Sequence, residues 1–403
     1  MATAQNSAPI ADVTAVLPLP RFPRPIAGDL SSAWNARMDG YFTRTGFARR
    51  DLPAMYAKAA LILGFWASAW ALLTFWSTSW RSAVPLTFLL GVGIAWIGMG
   101  VMHDANHNAF SKHLWVNRLF GWTNDLMGAS ALIWRTKHNV VHHTYTNIEG
   151  VDDDLDVGPL ARLSPAQEWR PAHRFQHIYM WGLYAMLLVK WVFYDDFNVF
   201  RAGRVGRMAI PKPSTSDMSL MWLGKVAYIC WNIIIPLKMH SATFVLGTWL
   251  GSSVVASLIL SLTFQLAHCV EEADVVASPP GTVTTGGQLP MRFTEHQIAT
   301  TVDFGRESRL LTFFVGGLNF QTVHHLAPRV CHLHYRALSK EFEAFCLEHG
   351  LTYRVHPSLG SAVRSHFRIL RSLGQGAPQN HTAGEGQPEP HSEPPLTCVA
   401  PAM

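Results

Sequence analysis

The sequence has few charged residues and few cysteines, and it lacks the dense basic runs typical of nucleic-acid-binding proteins. Charged residues make up 15% of its 403 residues, against roughly 25% in an average soluble chain. The five cysteines are widely spaced and form no CxxC pair, which argues against a disulfide framework or a cysteine zinc site and favours a reducing compartment. The net charge is +5, but the basic residues lie beside apolar runs. We therefore expect no nucleic-acid partner.

Long apolar runs are abundant, and they indicate a membrane protein. Hydrophobic residues reach 49% of the chain, and four runs at about 59–80, 82–102, 220–237 and 242–266 are each long enough to cross a hydrocarbon core of roughly 30 Å. The sequence predicts an all-α integral membrane protein with four transmembrane helices in two hairpins, the first of which turns at Arg81. Basic residues up to Lys58 precede the first span, so we expect both termini on the cytosolic side. Lys225 should snorkel from a cytosolic helix end.

Two further apolar segments are predicted to lie at the membrane interface. Residues 110–133 mix large apolar side chains with polar ones, as an interfacial helix does. Residues 178–193 are apolar for about 16 residues, but Lys190 lies within this segment and two aspartates follow it. If this segment crossed the membrane, the histidine clusters on its two sides would lie on opposite faces, so we expect four spans rather than five.

The two ends of the chain differ in composition from the region between them. Residues 1–29 are rich in alanine and proline and have no apolar core after a basic start, so we expect disorder and no cleaved signal peptide. Residues 374–403 are rich in Pro, Gly, Glu, Gln and His, a composition typical of a disordered tail. The predicted membrane domain is residues 30–373.

Three histidine clusters lie at or between the ends of the predicted spans. They have the sequences HDANH, HNVVHH and QTVHH. On α-helices, residues at i, i+3 and i+4 share one face, so each cluster has the spacing of metal ligands. The candidate ligands are His103 and His107 in the first cluster, His138, His142 and His143 in the second, and Gln321, His324 and His325 in the third.

Seven histidines exceed the needs of one metal ion, because zinc or mononuclear iron takes three or four protein ligands. Two metal ions, held by a cytosolic helical cap, are therefore predicted. Imidazole suits iron, copper, nickel and zinc alike, but a lipid C–H bond at the membrane face favours iron with O₂ as co-substrate. Aspartates near the clusters could orient the imidazoles, and the candidates are Asp104, Asp125, Asp154 and Asp303. The remaining histidines are predicted to be structural or solvated, including His113, His173, His177, His240, His296, His332 and His334.

The three clusters, separated by hydrophobic hairpins, resemble the histidine boxes of the membrane fatty acid desaturase family. The resemblance covers residues 30–353, and the segment from Gln297 to Gln321 is similar to the front-end and linoleoyl-CoA-desaturase-like branch, whose third box begins with Gln. It implies that the seven box histidines are iron ligands and that Gln321 is a ligand or lies beside one. His268, after the fourth span, is a further ligand by the same resemblance.

The family also implies an O₂-dependent reaction that inserts a cis double bond into a fatty acyl chain at a diiron centre. The acyl chain could be carried by CoA, acyl carrier protein or a membrane lipid. Many front-end members have a fused cytochrome b5 domain with an HPGG motif, which is absent here, so we expect a separate electron donor such as ferredoxin or cytochrome b5. Zinc can replace the iron during purification. A diiron hydroxylase or ketolase would have similar boxes, and a His-rich metal transporter is a remote alternative.

Overall fold

Four long apolar helices form the centre of the protein. The computed structural model describes residues 18–276 and 287–376, and within these ranges the helices long and apolar enough to cross a membrane are Pro53–Trp76, Trp80–Asn106, Thr215–Leu237 and Ala242–His268. We call them the first to fourth spans. The predicted all-α architecture with four membrane helices in two hairpins is thereby confirmed.

The predicted first turn at Arg81 is wrong. The first span begins at Pro53, where proline suits the first helical turn, and the chain leaves the helix at Ser77, whose hydroxyl lies 2.9 Å from that of Ser82. Arg81 is the second residue of the second span. Serine hydroxyls bond to nearby backbone groups and so favour turns over helix. The predicted turn was placed at the only charged residue between the two apolar runs, and that criterion takes no account of serine.

The second and fourth spans pack closely through glycine. A Cβ on Gly91 would lie 2.6 Å from Val255 Cβ and 2.7 Å from the carbonyl oxygen of Ser252. Likewise, a Cβ on Gly251 would lie 2.9 Å from a methyl group of Thr87. Only hydrogen at these positions allows the two helix backbones to come so near. The pair therefore fixes the distance between the end of the second span and the end of the fourth.

Shorter helices cover one end of the spans. Trp34 packs edge-on against Phe342, with ring centroids 4.9 Å apart, in a cluster that joins the chain before the first span to the chain after the fourth. These shorter helices include Leu30–Thr45, Leu114–Gly121, Gln176–Ala185, Phe293–Thr300, Gln321–Leu326, Tyr335–Glu348 and Leu359–Gly374. Two short strand pairs, Arg204–Val205 with Met208–Ala209 and Asp303–Phe304 with Val355–His356, are antiparallel and parallel respectively.

The two segments predicted at the interface are broken into short helices. Residues 110–133 contain Leu114–Gly121 and Thr123–Leu126 before the next helix begins at Ala131. Residues 178–193 are interrupted at Met186, and this segment is not among the helices long enough to span.

Three expectations for polar and terminal regions differ from the structure. Lys225 does not snorkel: it is 7% exposed, and its Nζ donates to Asp196 Oδ2 at 2.6 Å and to the Gly128 carbonyl oxygen at 2.6 Å. Residues 18–29 make defined contacts where disorder was expected, because the backbone N–H of Arg21 donates to the carbonyl oxygen of Gly287 at 3.0 Å. The predicted disordered tail also begins too early, because Gly374 ends the helix Leu359–Gly374 and its carbonyl oxygen accepts from Trp169 Nε1 at 2.8 Å. Residues 1–17 and 377–403, where the rest of the predicted disorder falls, lie outside the described residues.

Candidate metal centre

The first histidine group gathers one ring nitrogen from each of four residues within 4.8 Å of one another. They are His103, His107, His138 and His324. The first two come from the end of the second span and the turn that follows it, whereas His324 comes from the helix of the third cluster. Residues more than 200 positions apart in the chain therefore meet at one point.

The second histidine group lies beside the first and contains His142, His268 and His325, again with one atom of each within 4.8 Å of the others. Gln321 adjoins it, since its Nε2 is 2.9 Å from His268 Nε2 and 3.3 Å from His325 Nε2. His143 lies between the two groups: its ring centroid is 4.5 Å from that of His324 and 4.2 Å from that of His325. All nine predicted site residues thus occur in one place.

The second cluster reaches both groups because its helix is not an α-helix. Residues Arg135–His142 form a π-helix, in which residues five apart, rather than four, approach each other. His138 Nε2 accordingly lies 3.2 Å from His143 Nε2, while His142 is assigned to the other group. His138 and His142 still share one side, as their spacing predicts, since their rings stack with centroids 5.4 Å apart, but they belong to different groups.

Burial and missing partners fit these residues for metal binding. Each of the eight histidines is at most 7% exposed. Among the described residues, several of their ring nitrogens are buried with no hydrogen-bond partner, namely both nitrogens of His103, Nδ1 of His143, and Nε2 of His107, His142 and His324. A buried, unpartnered polar atom is costly, and a neutral imidazole nitrogen facing other imidazole nitrogens is the form that coordinates a metal ion.

Electrostatics keep most of these rings neutral. Burial lowers the pKa of His107, His138, His324 and His325 well below the ordinary histidine value, and neighbouring imidazoles lower it further. His142 differs: burial alone would lower its pKa, but the nearby carboxylates raise the pKa above its usual value. The second group therefore has carboxylates next to one of its rings. The first group has Asp104 beside His103, at 3.7 Å.

The imidazoles are oriented by partners on their outer nitrogens, most of which sequence reasoning missed. Asp152 Oδ2 lies 3.1 Å from His142 Nδ1, and Gln297 Oε1 lies 2.8 Å from His325 Nδ1. Tyr335 Oη is 3.0 Å from His324 Nδ1. Four aspartates, at positions 152, 153, 154 and 156, follow the second cluster in sequence, and nothing in their spacing distinguishes Asp152 from the others. Such outer partners fix the ring orientation of a metal ligand.

Two of the four aspartates predicted to orient imidazoles lie beside a ring. Asp154 Oδ2 is 3.4 Å from His142 Nδ1. Asp104 lies 2.9 Å from His332 Nδ1, a ring outside the predicted ligands, and 3.7 Å from His103 Nδ1. Asp125 instead accepts from the backbone N–H of Ala131.

Asp303 supports the third cluster indirectly. It accepts from the backbone N–H of Thr322 at 3.0 Å and from the hydroxyl of Tyr353, so it anchors the third-cluster helix rather than a ring.

One predicted solvated residue is buried. His173 is 1% exposed, its Nδ1 accepts from the backbone N–H of Arg170, and its Nε2 lies 3.1 Å from the carbonyl oxygen of Pro159. Neither of these partners belongs to a histidine group, so His173 is a structural residue outside the site, as predicted. Its predicted exposure to solvent is wrong.

An apolar cavity adjoins the first histidine group. It is lined by His103, Asn124, Trp134, Trp191, Leu260 and Phe264 among other, mostly apolar residues. A cavity of this character suits a hydrocarbon chain. Because His103 forms part of its wall, a chain within it would pass directly beside the histidine groups.

The arrangement defines a membrane protein whose metal-capable histidines lie beside an apolar cavity. The chain belongs to the fatty acid desaturase family, whose sequence profile matches residues 78–357, and it is an oxidoreductase that acts on fatty acyl chains. It is 33% identical over 342 residues to an sn-1 linoleoyl-lipid 6-desaturase from Arthrospira platensis, covering 84% of this chain and 91% of the relative.

Two further relatives extend the comparison. The chain is 34% identical over 351 residues to the sn-1 linoleoyl-lipid 6-desaturase of Synechocystis sp., which covers 85% of this chain and 95% of the relative. It is also 32% identical over 345 residues to an acyl-lipid (8-3)-desaturase from Physcomitrium patens, covering 84% of this chain and 70% of the relative. The family predicted from the histidine boxes is confirmed.

Proposed function

We propose that the protein desaturates an acyl chain carried on a lipid, at a centre of two iron ions held by the nine predicted residues. The observation that carries this proposal is the separation of the buried imidazoles into two groups, each with ligand atoms within 4.8 Å. One group of this size satisfies one ion. The Arthrospira and Synechocystis relatives are named for linoleoyl-lipid, which supports a lipid-linked chain that already contains double bonds.

The residues divide into two ligand sets. His103, His107, His138 and His324 would hold one ion, with His143 between the two sites. His142, His268 and His325 would hold the other, with Gln321 beside it. When bound, the ions would supply activation of O₂ and removal of hydrogen from two adjacent methylenes.

The protein itself positions the chain and keeps the site dry. The apolar wall formed by Trp134, Leu260 and Phe264 would hold the acyl chain against His103, so that one methylene pair faces the ligand sets; such positioning contributes much of the rate in an enzyme. Because the rings are buried, a chain beside them would be shielded from bulk water.

The electron donor and the orientation in the membrane also belong to this proposal. We expect electrons from a separate protein such as ferredoxin or cytochrome b5. Arg37, Arg44 and Arg49 precede the first span, and the positive-inside rule then supports a cytosolic site and cytosolic termini.

Expression in a host that lacks this activity, followed by lipid analysis, tests the reaction. The host is fed linoleic acid, its lipid classes are separated, and the fatty acids are derivatised and identified by mass spectrometry. A new double bond that appears first in a glycerolipid supports the proposal, while His324→Ala at matched abundance is the inactive control. A product with added oxygen would indicate a hydroxylase or ketolase, and first appearance in acyl-CoA would contradict the lipid carrier.

Metal analysis tests the centre separately. Protein purified under reducing conditions with iron supplied should contain close to two metal ions per chain, since there are two ligand sets. Zinc stands above ferrous iron in the stability order and can occupy the same sites, so total metal is counted. A stoichiometry near one would refute the two-ion centre.

A further inference from the structure

A lysine lies buried inside the first span. Lys58 is 5% exposed, although the sequence placed it with the basic residues at the cytosolic flank. Its Nζ is 2.8 Å from His332 Nε2 and 4.7 Å from the ring centroid of Phe313. An ionisable side chain within a membrane helix is costly, and when it is retained its partner indicates what it serves.

His332 contacts both Lys58 and the carboxylate of Asp104. An ammonium group has only donors, so Nε2 of His332 accepts from Lys58 and the ring proton is on Nδ1. That nitrogen lies 2.9 Å from Asp104 Oδ2, to which the backbone N–H of His332 also donates at 3.0 Å. The oxygen Oδ2 is thus held by two donors, and the carboxylate has a fixed orientation.

The other oxygen of the same carboxylate faces a candidate metal ligand. Asp104 Oδ1 lies 3.7 Å from His103 Nδ1, and within the described residues neither atom has a hydrogen-bond partner. A proton on Nδ1 of His103 would be directed to Oδ1, which leaves Nε2 to face the first histidine group. Asp104, Cys331 and His332 are themselves close enough to hold a cation, but Lys58 already occupies the free nitrogen of His332.

We propose that Lys58, acting through His332 and Asp104, is a positioning residue for His103 and so sets the metal affinity of the first histidine group. The inference rests on the proposed two-metal centre. Its physical basis is the continuous chain of contacts at 2.8, 2.9 and 3.7 Å from the lysine to the ligand. Outer partners of metal ligands typically change affinity 10- to 100-fold when removed.

The fold provides a matched control in Lys225. This lysine is also buried in a span and is paired with a carboxylate, Asp196, at 2.6 Å. Its other acceptors are the carbonyl oxygens of Gly128 and Val192, and none of its recorded contacts is to either histidine group. Replacing it removes a buried ion pair without interrupting the contacts to His103.

Cobalt titration of the metal-free, full-length protein in lipid nanodiscs tests the proposal. The visible absorption of Co²⁺ reports both the number of sites and the ligand geometry of each. We expect wild type and Lys225→Met to show two sites, and Lys58→Met to show one site weakened 10- to 100-fold with an altered spectrum. His332→Asn removes both the contact to the lysine and the imidazole donor to Asp104, so it should weaken the same site at least as much.

The outcomes separate this inference from the proposed function. Fewer than two sites in the wild type would contradict the two-metal centre itself. Two wild-type sites together with an unchanged isotherm and spectrum in Lys58→Met would overturn the role of the lysine, as would equal weakening in Lys225→Met. If Lys58→Met does not fold, His332→Asn decides: an unchanged spectrum overturns the proposal, and selective weakening of one site supports it.

Discussion

Replacement of Gln321 by alanine should separate metal retention from turnover. The side chain is 1% exposed and its amide nitrogen lies 2.9 and 3.3 Å from Nε2 of His268 and His325, while its Oε1 has no partner among the described residues. The amide therefore lies where the second histidine group converges. An amide oxygen is a weaker ligand for iron than imidazole, or it can hold a metal-bound water.

The expected magnitudes follow from this geometry. Gln321→Ala leaves the three nitrogen atoms of the second histidine group in place, so we expect the iron affinity to fall by no more than about tenfold, the low end of outer-partner effects. Turnover should fall by about 100-fold, because small displacements in an active site cost that much. By contrast, His324→Ala and His268→Ala each delete a nitrogen ligand and should lose both iron and activity.

The assay measures iron per chain and desaturated product per iron on the same preparations of the three variants. A Gln321→Ala protein with full turnover would assign the residue to packing or helix capping and remove it from the site. Equal loss of iron in Gln321→Ala and His268→Ala would instead make Gln321 a ligand as strong as imidazole, which also contradicts the reasoning.

Three further predictions concern the surroundings of the site. Asp152→Asn should weaken one of two cobalt sites 10- to 100-fold and leave the other unchanged, since the ring that its carboxylate contacts is that of His142 in the second histidine group; equal weakening of both sites would be the contrary result. Lys225→Met leaves a buried carboxylate unpaired and should cost about 3–5 kcal/mol of stability, measured as a lower thermal midpoint in nanodiscs; an unchanged midpoint would contradict this. Single cysteines at Glu168 and Ser216, both exposed, should react with an impermeant reagent from the same, cytosolic, side; labelling from opposite sides would mean that residues 178–193 cross the membrane.

The spans and the ligands could be predicted from the sequence because both depend on local patterns. Predominantly apolar runs near the length of a bilayer indicate the four helices, and imidazoles at helical spacing indicate the ligands. His268 stands alone after the fourth span and has no such spacing, so only the family resemblance predicted it. The structure then brings it to the second histidine group.

The supporting contacts could not be predicted, because they join residues that are distant in sequence. Lys58 and His332 are 274 positions apart, and Asp104 and His332 are 228 apart. No periodicity links such pairs, and each residue alone has an ordinary explanation as a flanking charge or a surface histidine. The π-helix at Arg135–His142 escaped prediction for a different reason: its sequence is also compatible with an α-helix.

The close glycine contact between the second and fourth spans makes the site sensitive to events in the middle of the bilayer. Gly91 precedes His103 by 12 residues, which is about 18 Å along a helix, and the helix it touches ends at His268. The two helices touch at this glycine, and each has a histidine of a different group at or near its end. A methyl group at Gly91 would push the helices apart, so a substitution that touches neither substrate nor ligand would increase the distance between the two histidine groups.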